Sequence, residues 1–326
     1  MTRSTLTVDV FLTAAQLRSA LEDDVRHGLT TRPKSIPPLW FYDENGSRLF
    51  EDITRLPEYY PTRAERRMLI EHAGEIARLA EADTLVELGA GACDKTRLLL
   101  DAMRSSGPLN RYIPFDVSDE FLREAAAGLL DEYEGLSVHA VVGDFRQHLN
   151  QVPVDGRRLV AFLGGTIGNL VPLDRQRFLF DLNCTMGQQD HLLLGVDLVK
   201  DRDTIVAAYD DSAGVTAAFN RNVLSVINNE LGANFDPDAF DHVALWNEDD
   251  RWIEMRLRST SDQEVRVAEL DLDVRFEKGE DLLTEISAKF DPTQLENELL
   301  GSDFVVDAMW GADDGEFLLA LAHPYC

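Results

Sequence analysis

At 326 residues the chain is long enough for one large or two modest cores, and its 44% hydrophobic and 28% charged content is that of a soluble globular protein. A formal net charge of −28 speaks against nucleic acid or an anionic membrane as partner, because both demand clustered Lys and Arg. Three cysteines without CxxC spacing (Cys93, Cys184, Cys326) argue against a disulfide framework or a zinc site and fit a reducing, cytoplasmic setting.

The opening residues, Met1 to Asp9, lack the apolar core of a signal peptide. No apolar run approaches the ~18 residues of a membrane span. One amphipathic helix follows, with Leu17, Leu21 and Val25 at four-residue spacing. A Pro-rich aromatic loop then runs through Pro33, Pro37, Pro38, Trp40, Phe41 and Tyr42 to Leu56-Pro57-Glu58-Tyr59-Tyr60-Pro61. Thr62 and Glu65 read as a T-x-x-E capping box, opening a helix that buries Met68, Leu69, Ala73, Ile76 and Leu79.

Strands and helices alternate from there. The pattern predicts strands at Thr84–Leu88, Tyr112–Phe115, Ser137–Val142, Leu159–Leu163 and His191–Val196, with helices at Asp94–Arg104, Asp119–Tyr133 and Leu173–Met186. Such alternation makes a parallel sheet with helices on both faces. Phe304–Met309 and Glu316–Ala322 are two further strands, and the short turn Gly311–Gly315 makes them antiparallel. A parallel sheet with a reversed last strand is the Rossmann-like α/β plan of class I methyltransferases. Between residues 200 and 288 the pattern changes: a helix with Val215, Phe219, Val223, Val226 and Ile227 precedes strands at Trp252–Arg258, Val265–Asp271 and Leu283–Ala288. Residues 64–199 and 289–326 are therefore expected to form the Rossmann-like domain. Residues 1–63 and 200–288 are expected to form a second, α+β, substrate-binding domain.

Three features point to the cofactor. Leu85-Val86-Glu87-Leu88-Gly89-Ala90-Gly91 is a strand running into a glycine turn, where small residues admit a ligand close to the backbone. Asp116 ends the next strand, where a carboxylate can accept from both hydroxyls of a ribose. Asp144-Phe145 closes the third, offering an acceptor to an adenine amino group and a ring to pack on it. Each Asp also suits a helix N-cap. Both together after Gly89 and Gly91, with no Walker lysine motif or full dinucleotide fingerprint, favour S-adenosylmethionine.

Glu285 and Ser287 stand two apart on a predicted strand, so a carboxylate and a hydroxyl share one face. An imidazole has one N–H donor and one bare acceptor nitrogen. Glu285 can take the first and Ser287 can answer the second. The pair suggests free histidine as the methyl acceptor. The seven histidines are scattered without H-x-x-x-H spacing, so no metal is expected.

Longer blocks carry a family resemblance: Pro33-Lys34-Ser35-Ile36-Pro37-Pro38, Trp40-Phe41-Tyr42-Asp43, Ile53 through Arg63, Gly168-Asn169-Leu170, and Tyr209-Asp210-Asp211 through Phe219-Asn220. In these the chain resembles the histidine-specific methyltransferases of ergothioneine biosynthesis over essentially its whole length. The resemblance implies three successive methyl transfers from S-adenosylmethionine to the α-amino group of L-histidine, giving hercynine. It implies that Gly89, Gly91, Lys95, Asp116, Asp144 and Phe145 hold the cofactor. Tyr59, Asn169 and Tyr209 would grip the amine and carboxylate, and Tyr42 and Phe50 would lie beside the reacting amine. Met255 would line the imidazole pocket with Glu285 and Ser287. Tyr42 and Asn169 are the residues expected to serve the chemistry. Read singly, Tyr59 also suits packing, Tyr209 a surface position, Met255 a core filler and Lys95 a solvated helix start. A monomer is expected. A methyltransferase for arginine or tryptophan, and a non-catalytic sensor of S-adenosylmethionine or an amino acid, are the competing readings.

Overall fold

Runs such as Leu85-Val86 and Leu192-Leu193-Leu194 are what a strand needs when helices cover both faces of its sheet. The computed structural model describes residues 5–91, 95–107, 109–312 and 314–325. In chain order it opens with β1 (Thr5–Val10), α1 (Ala14–Thr30), β2 (Lys34–Ser35), α2 (Glu44–Arg55) and α3 (Tyr60–Ala80). Next come β3 (Thr84–Leu88), α4 (Thr96–Ser106), β4 (Arg111–Asp116), α5 (Asp119–Glu132) and β5 (Ser137–Val142). They are followed by α6 (Phe145–His148), β6 (Arg158–Phe162), α7 (Pro172–Thr185) and β7 (His191–Asp197). A second group comprises α8 (Arg202–Tyr209), α9 (Val215–Leu231), β8 (Phe240–Asn247), β9 (Trp252–Ser259), β10 (Gln263–Val267), β11 (Leu272–Phe276) and β12 (Asp281–Ala288). Then come α10 (Pro292–Leu300), β13 (Phe304–Gly311) and β14 (Phe317–Pro324). No described helix is long and apolar enough to cross a membrane.

Two compact units result, one of Met1–Thr13, Arg63–Val199 and Phe290–Cys326, the other of Ala14–Thr62 and Lys200–Lys289. The first holds an eight-stranded sheet in the order β1-β5-β4-β3-β6-β7-β14-β13. Every pair from β1 through β7 is parallel, and β14 runs antiparallel to both its neighbours. This is the Rossmann-like α/β plan read from the sequence, with the reversed strand lying inside the sheet rather than at its edge. Leu85, Leu99, Tyr112, Val138, Leu159 and Leu193 are buried in a common core.

Some details differ from the sequence reading. The sequence pattern places residues 1–63 with the second unit, but β1 pairs with β5 in the first, from Thr5↔Ser137 to Val10↔Val142. As an edge strand it leaves Leu6 and Val10 about two-fifths exposed (40% and 41%), so its apolar pattern is thin. The capping box at Thr62 and Glu65 does not form, since α3 starts at Tyr60 and Glu65 is fully buried. Leu79 faces solvent while Ala73, Ala77 and Ala80 are buried. The expected helix start at Asp94 lies outside the described residues, as do Cys93 and Cys326. Cys184 is exposed and free.

The second unit has a four-stranded sheet, β2-β12-β9-β8, and a separate β10–β11 ladder. Its core gathers Leu21 and Val25 of α1, Phe219, Val223 and Ile227 of α9, and Met255 and Leu257 of β9. The strand expected at Val265–Asp271 ends at Val267. A 3₁₀ turn at Ala268–Leu270 and a left-handed Asp271 (φ 49°) reverse the chain into β11.

Candidate active site

In the first unit the carboxyl ends of β3, β4 and β5 bring the proposed cofactor residues to one edge of the sheet, where open α/β sheets bind ligands. Gly89 and Gly91 have φ of +72° and +49°, a conformation that costs glycine nothing and other residues a steric clash. A Cβ on either would meet no protein atom within 4 Å, so the turn faces open space. Gly91 N donates to the Asp116 carboxylate at 3.1 Å, and Ser118 N donates to its other oxygen at 3.2 Å. Asp116 is half-buried, yet enough protein surrounds its carboxyl that burial pushes the pKa above the ordinary range. A glycine cradle open to a ligand and a desolvated carboxylate beside it fit the ribose of S-adenosylmethionine.

Asp144 is buried and caps α6, accepting from Arg146 N at 2.9 Å and from the Arg146 guanidinium. The helix-cap reading of this residue therefore holds. Phe145 packs edge-on against Phe162 and Phe178. Lys95 is not a solvated helix start: its ammonium pairs with buried Glu65, whose second oxygen accepts from Gly164 N at 2.7 Å. Glu87, buried in β3, accepts from the hydroxyls of Thr96 and Tyr112, and burial raises its pKa. Glu65 thus ties Lys95 to the backbone of Gly164, and Glu87 ties Thr96 to Tyr112. A carboxylate inside the apolar run Leu85–Leu88 is the sequence signal for Glu87, whereas Glu65, between Ala64 and Arg66, carries none beyond its capping-box spelling. Asn169 ends a 3₁₀ turn (Thr166–Asn169) after β6, entered through left-handed Gly164 and Gly165.

The second unit gathers the other proposed residues. Tyr42 is held between a 3₁₀ turn at Pro38–Phe41 and the α2 cap Asp43, which accepts from Gly46 N at 2.7 Å and from Asn222 Nδ2 at 2.7 Å. Gly46 is needed there because a Cβ would lie 1.7 Å from the Phe41 carbonyl oxygen. Rings then follow one another: Tyr42 to Phe50 at 5.7 Å, Phe50 to Tyr59 at 6.3 Å, and Tyr59 to Tyr209 at 6.1 Å, all edge-on. Tyr209, at the end of α8, is buried rather than on the surface, and its hydroxyl lies 2.9 Å from that of Ser287.

On β12, Glu285 stands directly across from Met255 of β9, so their side chains share a face. The register shifts between Leu283 and Glu285, which leaves Thr284 as an extra residue. Such a bulge re-aims the side chains beside it. The plain alternation therefore links Glu285 to Ser287 but does not extend back to Leu283. Glu285 is half-buried, not enclosed.

The bulge is pinned by a buried network. Thr284 Oγ1 donates to Asn220 Oδ1 at 2.6 Å, with the Met255 carbonyl at 2.8 Å. Asn220 Nδ2 faces His242 Nδ1 at 2.8 Å and the Arg256 carbonyl at 3.1 Å, and His242 Nε2 faces the Tyr209 carbonyl at 2.8 Å. Those contacts assign His242 the neutral Nε2–H tautomer, and burial holds its pKa below the ordinary value. Asn220 and His242 were not foreseen; polar residues buried behind a site leave no local pattern.

The sequence assigned no metal. Among the described residues His191, Asp307 and His323 form a group whose ligand atoms lie within 4.8 Å of one another. It sits at the amino end of β7, the opposite end of the sheet from Gly89, and His323 Nδ1 already donates to both Asp307 oxygens at 2.9 Å.

The sheet with its reversed strand and the open glycine turn suit an S-adenosylmethionine-dependent methyltransferase. Residues 21–324 match the family model described as histidine-specific methyltransferase, SAM-dependent. The chain belongs to that family. It is 55% identical over 318 residues to the histidine N-alpha-methyltransferase of Mycolicibacterium smegmatis, covering 98% of this chain and 99% of that one. It is 54% identical over 303 residues to the protein of the same name from Mycobacterium tuberculosis, covering 93% and 94%. The ergothioneine biosynthesis protein 1 of Neurospora crassa is 34% identical over 205 residues, covering 61% of this chain and 23% of that one. Among solved structures, a methyltransferase from Clostridium acetobutylicum superposes with a TM-score of 0.46 at 12% identity, covering 79% and 91%.

Proposed function

We propose that the protein methylates the α-amino group of L-histidine three times, giving hercynine, as the first step of ergothioneine biosynthesis. The observation that carries the choice of acceptor is the face shared by Met255, Glu285 and Ser287, in a chain of the histidine-specific family. Glu285 accepts the imidazole N–H and Ser287 donates to the bare nitrogen. S-Adenosylmethionine, held by Gly89, Gly91, Asp116 and Asp144-Phe145, supplies a sulfonium methyl when bound.

The remaining work is placement. An ammonium has no lone pair, so the amine must lose a proton before each transfer. Tyr42, Tyr59 and Asn169 are uncharged and orient the amine without an ion pair that would keep it protonated. Tyr209, its hydroxyl engaged with Ser287, contributes its ring to the wall of the amino-acid site. The Phe50 ring closes the wall between Tyr42 and Tyr59. The net charge of −28 supports a small-molecule acceptor without nucleic-acid or membrane partners. The three cysteines without CxxC spacing support a cytoplasmic setting. The protein acts as a monomer, and the displacement itself requires no metal.

Mass spectrometry of L-histidine incubated with the protein and S-adenosylmethionine, with arginine and tryptophan in parallel, tests the proposal. Three added methyls on histidine alone are expected. Methylation of arginine or tryptophan instead would overturn the pocket assignment, and cofactor binding without any methylation would favour a sensor.

A further inference from the structure

The continuation of β12 carries a third polar side chain on the face of Glu285 and Ser287. Lys289 is only 2% exposed. Its Nζ lies 2.9 Å from the Tyr209 hydroxyl, 3.0 Å from Ser287 Oγ and 4.6 Å from the centre of the Tyr209 ring. Its backbone N–H donates to the Arg251 carbonyl at 2.8 Å, so the strand geometry persists to this residue. An ammonium has three N–H donors and no lone pair. Both hydroxyl oxygens must therefore accept from Lys289, and neither hydroxyl hydrogen can be spent on it. Across the 2.9 Å between them the Tyr209 hydroxyl donates to Ser287 Oγ and uses its one hydrogen. The Ser287 hydrogen must be directed elsewhere.

We propose that Lys289 is a positioning residue that fixes this polarity, so that the Tyr209–Ser287 pair presents an O–H donor to an acceptor atom of the amino-acid substrate. With Tyr209 donating to Ser287, the outward donor is the Ser287 hydroxyl and that atom is a bare ring nitrogen. The inference rests on the histidine reading for the identity of the substrate, and on the hydroxyl geometry for the role of Lys289.

Kinetic cycles test it, using Lys289→Met with Ser287→Ala and Lys289→Met with Tyr209→Phe. They are run on whichever of histidine, arginine and tryptophan the wild-type protein methylates fastest. A preference for arginine or tryptophan overturns the histidine reading, while the coupling still decides Lys289. Lys289→Met should raise KM about tenfold, the size of one charge-assisted hydrogen bond, with kcat changed less than about threefold. The Lys289→Met/Ser287→Ala double variant should be no worse than its worse single. Lys289→Gln, which keeps N–H donors without the charge, should fall between wild type and Lys289→Met and guards against a variant that fails to fold. An unchanged KM in a folded Lys289→Met or Lys289→Gln protein, or losses that simply add in both cycles, would overturn the proposal.

Discussion

Replacing Thr284 by valine isolates the bulge that aims Glu285. Valine matches threonine in shape, so neither cavity nor overpacking confuses the result. The lost group is the Oγ1–H that donates to Asn220 Oδ1 at 2.6 Å. Asn220 is fully buried, and its amide hydrogens face His242 and the Arg256 carbonyl, so its oxygen is left without the Thr284 donor. One stranded buried acceptor costs about 1–2 kcal/mol. At roughly 2–4 °C per kcal/mol for a cooperative unit of this size, the melting temperature should fall by about 2–8 °C. Because Thr284 is the extra residue of the bulge, the loosened strand should also raise KM for histidine about threefold, a shift of about 0.7 kcal/mol. Differential scanning fluorimetry and initial-rate kinetics measure the two effects. A variant that melts within a degree of wild type and keeps its KM would refute the claim that this network holds the site.

Three further outcomes are expected. Burial raises the Asp116 pKa in the free protein, and hydroxyl donors from a ribose would favour its ionised form and bring the pKa down. Cofactor binding should then release a proton, and affinity should rise with pH between the bound and free pKa values; calorimetry giving the same enthalpy in buffers of different ionisation heat would count against it. Lys95→Met strips the ammonium from a carboxylate that is 1% exposed while Lys95 itself is 23% exposed. A cost of about 2–3 kcal/mol in urea unfolding is expected, below that of a fully enclosed pair, and an unmoved midpoint would show that the Glu65 contact is dispensable. Glu285→Ala should lower kcat/KM for histidine at least about 30-fold, the size of a charge-assisted hydrogen bond; retained histidine turnover would remove Glu285 from the pocket.

Much of the parallel sheet was legible because strands covered on both faces are apolar throughout, and Leu85-Val86 or Leu192-Leu193-Leu194 can do little else. β8 and β11 escaped notice because charged residues interrupt them, as in Phe240-Asp241-His242 and Asp273-Val274-Arg275. The break at Val267 depends on one left-handed residue, Asp271, which no periodicity reveals. Thr62 and Glu65 had the spelling of a capping box, but Glu65 is drawn inward by Lys95 and Gly164, so a tertiary contact overrode a local motif. Lys289 is legible in the same way as Glu285 and Ser287. The period of two that joined Glu285 to Ser287 also reaches residue 289. The bulge at Thr284 was not readable, since an inserted residue leaves no mark on composition.

The interleaving of the two units along the chain bears on how acceptor preference can change. Residues proposed to read the acceptor side chain, Met255, Glu285 and Ser287, fall inside one continuous stretch, Lys200–Lys289. Gly89, Gly91, Asp116 and Asp144 lie outside it. A single exchange of genetic material, with joints near residues 200 and 289, could therefore replace the reading surface as a cassette and leave the methyl-donor strands untouched. Divergence toward other amino acids would then need no redesign of the sheet, only a new insert.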